Sequence, residues 1–97
     1  MSRIFKGQDK INLVVSVSID ITGATTSLIK YIKPSGDTGS FTATVTDIPT
    51  GELTYDVQPD DLDQYGNWIF WAHITYSDDQ VSVGEPTRIH VYKEGEL

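Results

Sequence analysis

Apolar and polar residues alternate along most of the chain, and this period of two predicts β-strands because successive side chains of a strand point to opposite faces of a sheet. Turn residues such as Gly, Pro, Asp and Ser separate the alternating segments every ~8–12 positions. No long segment has the 3.6-residue period of a helix. The predicted strands are residues 11–19, 26–33, 40–46, 53–57, 67–76 and 81–92, the last interrupted at residues 84–86.

This order of short strands and turns is typical of a sandwich of two antiparallel sheets. If Lys30 points to water, Ile29 and Tyr31 point into the core, because burying an unpaired Lys is costly. Residues 58–66 predict a single helical turn in which Leu62 is anchored on the core. The fold class is therefore predicted as all-β, an immunoglobulin-like antiparallel β-sandwich of about seven strands, in one domain that covers residues 1–97.

The corner at Gly66-Asn67-Trp68 supports the same fold. It resembles the tyrosine corner at the start of strand F in immunoglobulin-like domains, with Trp68 in the aromatic position. Tryptophan has no hydroxyl, so its indole N–H is expected to make the hydrogen bond back to the backbone.

Charge and composition narrow the partners. The chain carries 14 acidic and seven basic residues, a formal net charge of -7, and no cluster of Lys and Arg that would bind phosphates, so no nucleic-acid partner is expected. No apolar run approaches the ~20 residues that span a bilayer, so no membrane partner is expected. The N-terminus lacks a signal-peptide apolar region, which predicts synthesis in the cytoplasm. The absence of Cys excludes disulfides and thiolate chemistry.

Catalytic and metal chemistry finds little support. His73 and His90 fall on predicted strands of one sheet with Glu85 as the nearby acid, and we interpret them as surface histidines rather than metal ligands. The acids of residues 60–63 and 78–79 lack the spacing of a calcium loop, and turn formation explains them. Neither a Gly-x-Ser-x-Gly motif nor a phosphate-binding glycine loop is present. We predict no enzyme activity, no metal and no cofactor.

The strand at residues 67–76 is apolar on both faces, which points to a binding surface. One face of this strand packs in the core. The other face forms a patch together with the outer residues of the neighbouring strands, and Lys30 and Arg88 are cations at its rim. Exposed apolar patches with Trp, Tyr and Arg mark interfaces; the alternative is that a loop or the tail covers the patch. The predicted interface consists of Leu28, Ile32, Ile69, Trp71, His73, His90 and Tyr92.

Several turn motifs carry a family resemblance. The runs Gly7-Gln8-Asp9-Lys10-Ile11, Asp20-Ile21-Thr22-Gly23-Ala24 and Lys33-Pro34-Ser35-Gly36, followed by Gly51-Glu52-Leu53-Thr54-Tyr55 and the Gly-x-aromatic corner, resemble the N-terminal domain of phage baseplate upper proteins. The resemblance covers nearly the whole chain. It implies an immunoglobulin-like module of a phage virion, although baseplate upper proteins carry further domains.

The resemblance implies a non-enzymatic structural or assembly module of a bacteriophage virion, as an adaptor, tail, neck, baseplate or capsid decoration protein. Its partners are expected to be other virion proteins and further copies of itself, in a homo-oligomer, and its location the virion after synthesis in the host cytoplasm. The alternative function is a carbohydrate-binding module, in which Trp71 and Tyr92 stack on the sugar rings of a glycan.

Overall fold

The computed structural model describes residues 11–93 and the backbone of residues 4–5. These residues form nine strands and no helix. In chain order the strands are β1 (Ile4–Phe5), β2 (Asn12–Ser16), β3 (Ala24–Ile32), β4 (Thr38–Thr42), β5 (Thr44–Asp47), β6 (Glu52–Asp56), β7 (Gly66–Tyr76), β8 (Val81–Val83) and β9 (Thr87–Tyr92).

The strands form two sheets. Six strands make one sheet in the order β1-β9-β7-β3-β4, with β8 beside the far half of β7, and three make the other in the order β2-β6-β5. All pairings are antiparallel except that of β1 with β9, which is parallel. The order β9-β7-β3-β4 matches strands G, F, C and C′ of an immunoglobulin-like domain, and β2-β6-β5 matches B, E and D. The predicted fold class is confirmed.

The core lies between the inner faces of the two sheets and is built from alternating positions of each strand. The inward register expected from Lys30 is confirmed, since Ile29 is fully buried. Aromatic rings fill the centre: Tyr31 lies 4.8 Å from Phe41 and 5.4 Å from Trp68 between ring centroids. The buried apolar residues are Leu13, Ile21, Ile29, Phe41, Leu53, Val57, Leu62, Trp68, Phe70, Ala72, Ile74 and Val91.

The corner before β7 is built as expected in one respect and differently in another. The Trp68 indole Nε1–H donates a hydrogen bond of 2.9 Å to the Gln64 carbonyl oxygen, in place of the tyrosine hydroxyl. Leu62 is 1% exposed, so its predicted anchoring is confirmed. The prediction of a helical turn in residues 58–66 is wrong. Asp60 has a φ of 69°, and this left-handed conformation cannot belong to a right-handed helix. The segment is a chain of turns with no helix.

Two predicted strands end or divide where alternation alone does not show it. Residues 40–46 were predicted as one strand, but the chain crosses between the sheets at Ala43, so that β4 pairs with β3 and β5 pairs with β6. The first strand ends at Ser16 rather than at residue 19, because Ser18 takes a φ of 58° and bends the chain; Ile19 is then 49% exposed.

The break in the last strand is confirmed, and packing explains it. The Gly84 N–H still donates to the Ala72 carbonyl oxygen of β7 at 2.9 Å. A Cβ at this position would lie 2.7 Å from the Ser16 carbonyl oxygen of the other sheet, so the close approach requires glycine. Pro86 has no backbone N–H to donate to the ladder of β7. The pairing is therefore interrupted between β8 and β9.

Candidate functional site

The β3–β7 ladder brings the centre of the predicted interface together. Leu28 pairs with His73, Lys30 with Trp71, and Ile32 with Ile69. Directly paired residues of adjacent strands point to the same face of a sheet. These side chains therefore form three consecutive rows on the outer face of the six-stranded sheet, opposite to the core face.

The β7–β9 ladder adds the rest of the predicted residues at one end of that face. Arg88 pairs with Ile69, and His90 pairs with Asn67. The His90 Nδ1 lies 2.9 Å from the Asn67 Oδ1, and its ring packs edge-on against Tyr92 at 4.5 Å between centroids. Since Asn67 precedes Trp71 by four residues of a strand, His90 lies roughly 13 Å along the sheet from the row of Trp71.

Two exposed valines extend the face at its other end, and the residue pattern alone did not single them out. Val81 is 50% and Val83 59% exposed, and Val83 pairs with His73. The signal that could have found them is the alternation of Val81 and Val83 around Ser82, on a strand that continues the same sheet. The structure also places Lys30 in the middle row beside Trp71 rather than at the rim.

The large side chains of the central rows are half-buried, because each is partly covered by the side chains beside it. Trp71, Ile69 and His73 lie on β7 between flanking strands on both sides, so only their outward ends reach solvent. Burial lowers the pKa of His73, and the nearby Lys30 ammonium lowers it further. Both effects favour the neutral imidazole of His73 over its cation.

The charged side chains at the outward strand positions of this face, within the described part of the chain, have one sign. Lys30 and Arg88 occupy outward positions, whereas no outward position of strands β3, β4, β7, β8 and β9 holds a carboxylate. This is unusual for a chain with twice as many acidic as basic residues. We call the surface formed by the outward residues of these five strands the cationic face.

The outer face of the three-stranded sheet has the opposite character. Its outward positions carry Glu52 and Asp56 on β6, with the 57%-exposed Val14 on the neighbouring β2. The Thr46 hydroxyl donates to the Glu52 Oε1 at 2.8 Å and holds that carboxylate over the sheet. No Lys or Arg occupies β2, β5 or β6. We call the outward residues of β2, β5 and β6 the acidic face.

The structure separates the histidines considered as a metal pair. On β7, His73 stands six residues beyond Asn67, which is the ladder partner of His90. The two rings are therefore roughly 20 Å apart along the sheet, too far to share an ion. No group of three or more His, Cys, Asp or Glu side chains in the described part of the chain could hold a metal ion.

Two of the three acids of the 58–66 segment, Asp61 and Asp63, are engaged in local structure. The Asp61 Oδ2 accepts hydrogen bonds from the Tyr55 hydroxyl at 2.6 Å and from the Gln58 N–H at 2.7 Å. Burial and this carboxylate raise the pKa of Tyr55 to about 12. Asp63 forms an ion pair with Lys33 at 3.0 Å. Across residues 4–5 and 11–93, no helix has the length and apolar character needed to cross a membrane.

Comparison with known proteins gives a fold likeness. No family model and no curated protein matches the chain. Among solved structures, the chain is similar to CopC from Methylosinus trichosporium OB3b, with 15% sequence identity and a TM-score of 0.58. The likeness covers 100% of this chain and 90% of that one. At this identity it shows a shared β-sandwich fold.

This comparison overturns the predicted function. CopC, a solved protein that shares the fold, is not a phage virion component, and the predictions of a virion assembly module and of a virion location are wrong. The predicted roles as a tail, neck, baseplate or capsid decoration protein are therefore wrong as well. The alternative of a carbohydrate-binding module is not supported by the comparison either. The resemblance to baseplate upper proteins stays an untested prediction, and its first motif includes residues 7–10, which lie outside the described residues.

Proposed function

We propose that this protein is a non-enzymatic binding domain that associates with further copies of itself through its cationic face. The observation that carries the proposal is the row of Lys30 and Trp71, with Ile32 and Ile69 beside it, on a face where no outward strand position among residues 11–93 holds a carboxylate. Aromatic, aliphatic and arginine side chains on a surface of one charge sign are the composition of a protein interface rather than of a solvated sheet.

Charge favours a second copy as the partner. The chain has a formal net charge of -7, so the surface outside the cationic face is predominantly acidic. A cationic face on an acidic protein is complementary to most of the surface of its own copies. Complementary potentials speed association and set its orientation.

The expected association is weak. Adjacent strands lie about 4.8 Å apart, so a face of three to five strands and five to six residues offers only a few hundred Å². Stable complexes bury about 800 Å² on each partner. We therefore expect a reversible equilibrium rather than a permanent oligomer.

The test is the molar mass in solution at low salt, measured by light scattering and sedimentation from about 10 µM to about 1 mM, the range in which weak interfaces form. We expect the mass to rise above 10.8 kDa with concentration. Trp71→Glu places a carboxylate in the middle row, and Lys30→Glu reverses the charge beside it. Both variants are expected to weaken association at least tenfold.

Ile48→Glu is the matched control, since Ile48 is 50% exposed in a turn outside both faces. It is expected to associate like the wild type. The β-sheet circular dichroism and urea midpoint of each variant show whether it is folded. A wild type that remains monomeric over the whole range, or folded Trp71→Glu and Lys30→Glu variants that associate normally, would overturn the proposal.

A further inference from the structure

The two outer faces of the sandwich differ in charge, and this difference restricts how copies can meet. If two cationic faces packed on each other, Lys30 and Arg88 of one copy would face the same cations of the other. Like charges at an interface are destabilising, and no carboxylate stands on the strands of that face to neutralise them. A symmetric contact between cationic faces is therefore disfavoured.

The acidic face offers the complementary arrangement. Val14, 57% exposed, stands across from Thr54 on β6, between the rows of Glu52 and Asp56. An exposed aliphatic side chain with carboxylates in the adjacent rows is the counterpart of Trp71 with Lys30 at its side. Facing these two surfaces places each cation near a carboxylate and removes both apolar centres from water.

We propose that the cationic face of one copy binds the acidic face of the next, so that copies stack head to tail. This inference rests on the proposed self-association and adds the identity of the second surface. Because the two faces lie on opposite sides of the sandwich, a stack of bound copies still presents one unused cationic face at one end and one unused acidic face at the other. Such a heterologous contact does not close at a dimer and continues as an open assembly.

The experiment uses two variants, each disabled on a different face. Trp71→Glu retains the acidic face, and Val14→Lys, at a position exposed enough to accept a long side chain, retains the cationic face. Each variant alone is expected to be monomeric. An equimolar mixture is expected to form a 1:1 complex of twice the 10.8 kDa monomer mass and nothing larger, since only one intact pair of faces remains.

The wild type under the same conditions is expected to grow in mass with concentration without a plateau at the dimer, and to lose this growth as salt screens the opposing charges. A Val14→Lys variant that associates like the wild type, while Trp71→Glu does not, would overturn the head-to-tail arrangement and leave self-association through the cationic face intact. A mixture of monomers only would also overturn it. Normal association of Trp71→Glu would instead overturn the proposed function itself.

Discussion

The two sheets of this protein use their outer faces differently. The outer face of the three-stranded sheet is mostly polar, with Thr54 and Asp56 outward and Leu53 and Val57 inward, and its exposed apolar side chain is Val14. The outer face of the six-stranded sheet does not, because Ile69 and Trp71 stand where polar residues are expected. A folded sandwich requires one apolar face on each sheet. The core therefore accounts for the first pattern but not for the second.

The same comparison holds along the single strand β7. Phe70 is 1% exposed on the core face, and the adjacent Trp71 is half-buried on the outer face. Both are large aromatic residues, so residue type alone does not show which of them lies in the core. The difference between them shows that an apolar side chain in a strand can serve either folding or binding, according to which face of the sheet it occupies.

The largest expected effect tests this difference directly. Phe70→Ala leaves a cavity in the core and is expected to lower the free energy of unfolding by about 3–5 kcal/mol. Trp71→Ala is expected to lower it by about 1 kcal/mol or less, because no enclosed cavity forms. Urea denaturation of both variants measures the two values. Equal losses would mean that the outer face is structural, and the comparison would fail.

The second comparison is between two lysines, Lys33 and Lys30, and its expected effect on the free energy of unfolding is intermediate in size. The Lys33 ammonium pairs with Asp63 at 3.0 Å and lies 5.7 Å from the Trp68 ring centroid, whereas Lys30 stands on the cationic face. Lys33→Met is expected to lower the free energy of unfolding by about 1 kcal/mol, through the ion pair and the cation–π contact. Lys30→Met is expected to leave stability nearly unchanged and to weaken association. A reversed order in chemical denaturation would contradict the assignment of roles.

The smallest expected effect concerns pH. Burial lowers the pKa of His73 in the folded state below its ordinary value of 6.5, and Lys30 adds to the shift, while the residues paired with it, Leu28 and Val83, carry no charge. The unfolded chain thus binds this proton more readily. The contribution of neutral His73 to the free energy of unfolding is therefore fully present above pH 6.5. It is lost as the pH falls toward the pKa of the folded state.

His73→Gln is expected to reduce this decline between pH 7.5 and about 5.5, a window above the ordinary pKa of Asp and Glu. The urea midpoint of the wild type and of the variant at both ends of the window measures the difference. The same slope in both proteins would show that His73 is not held neutral by the sheet.

Much of the fold was predictable because strand alternation records which side chains face the core. The inward register of Ile29, the burial of Leu62 and the break at Gly84 follow from local residue chemistry, and the structure confirms them. The crossing at Ala43 was not predictable, since alternation continues unchanged through it. Transfer of a strand from one sheet to the other changes its pairing partners, and nothing in a period of two records a partner.

The site divides in the same way. The apolar outer positions of β7 were readable from the sequence, as was the shared sheet of the neighbouring strands. The central place of Lys30 and the addition of Val83 depend on the register of the ladders, which long-range pairing sets. The acidic face was not anticipated, because Glu52, Asp56 and Val14 come from segments about 40 residues apart that form a surface only when β2 and β6 pair.

The sequence by itself determined an all-β chain, its core face and the excess of apolar residues on one strand, because these depend on the local alternation of side chains. Only the tertiary structure decided that Lys30 and Arg88 lie over one sheet and that Glu52 and Asp56 lie over the other. Opposite charges can be sorted onto two faces only after distant strands have found their partners, and the free energy of that pairing comes mainly from the buried core beneath both faces rather than from the charges themselves.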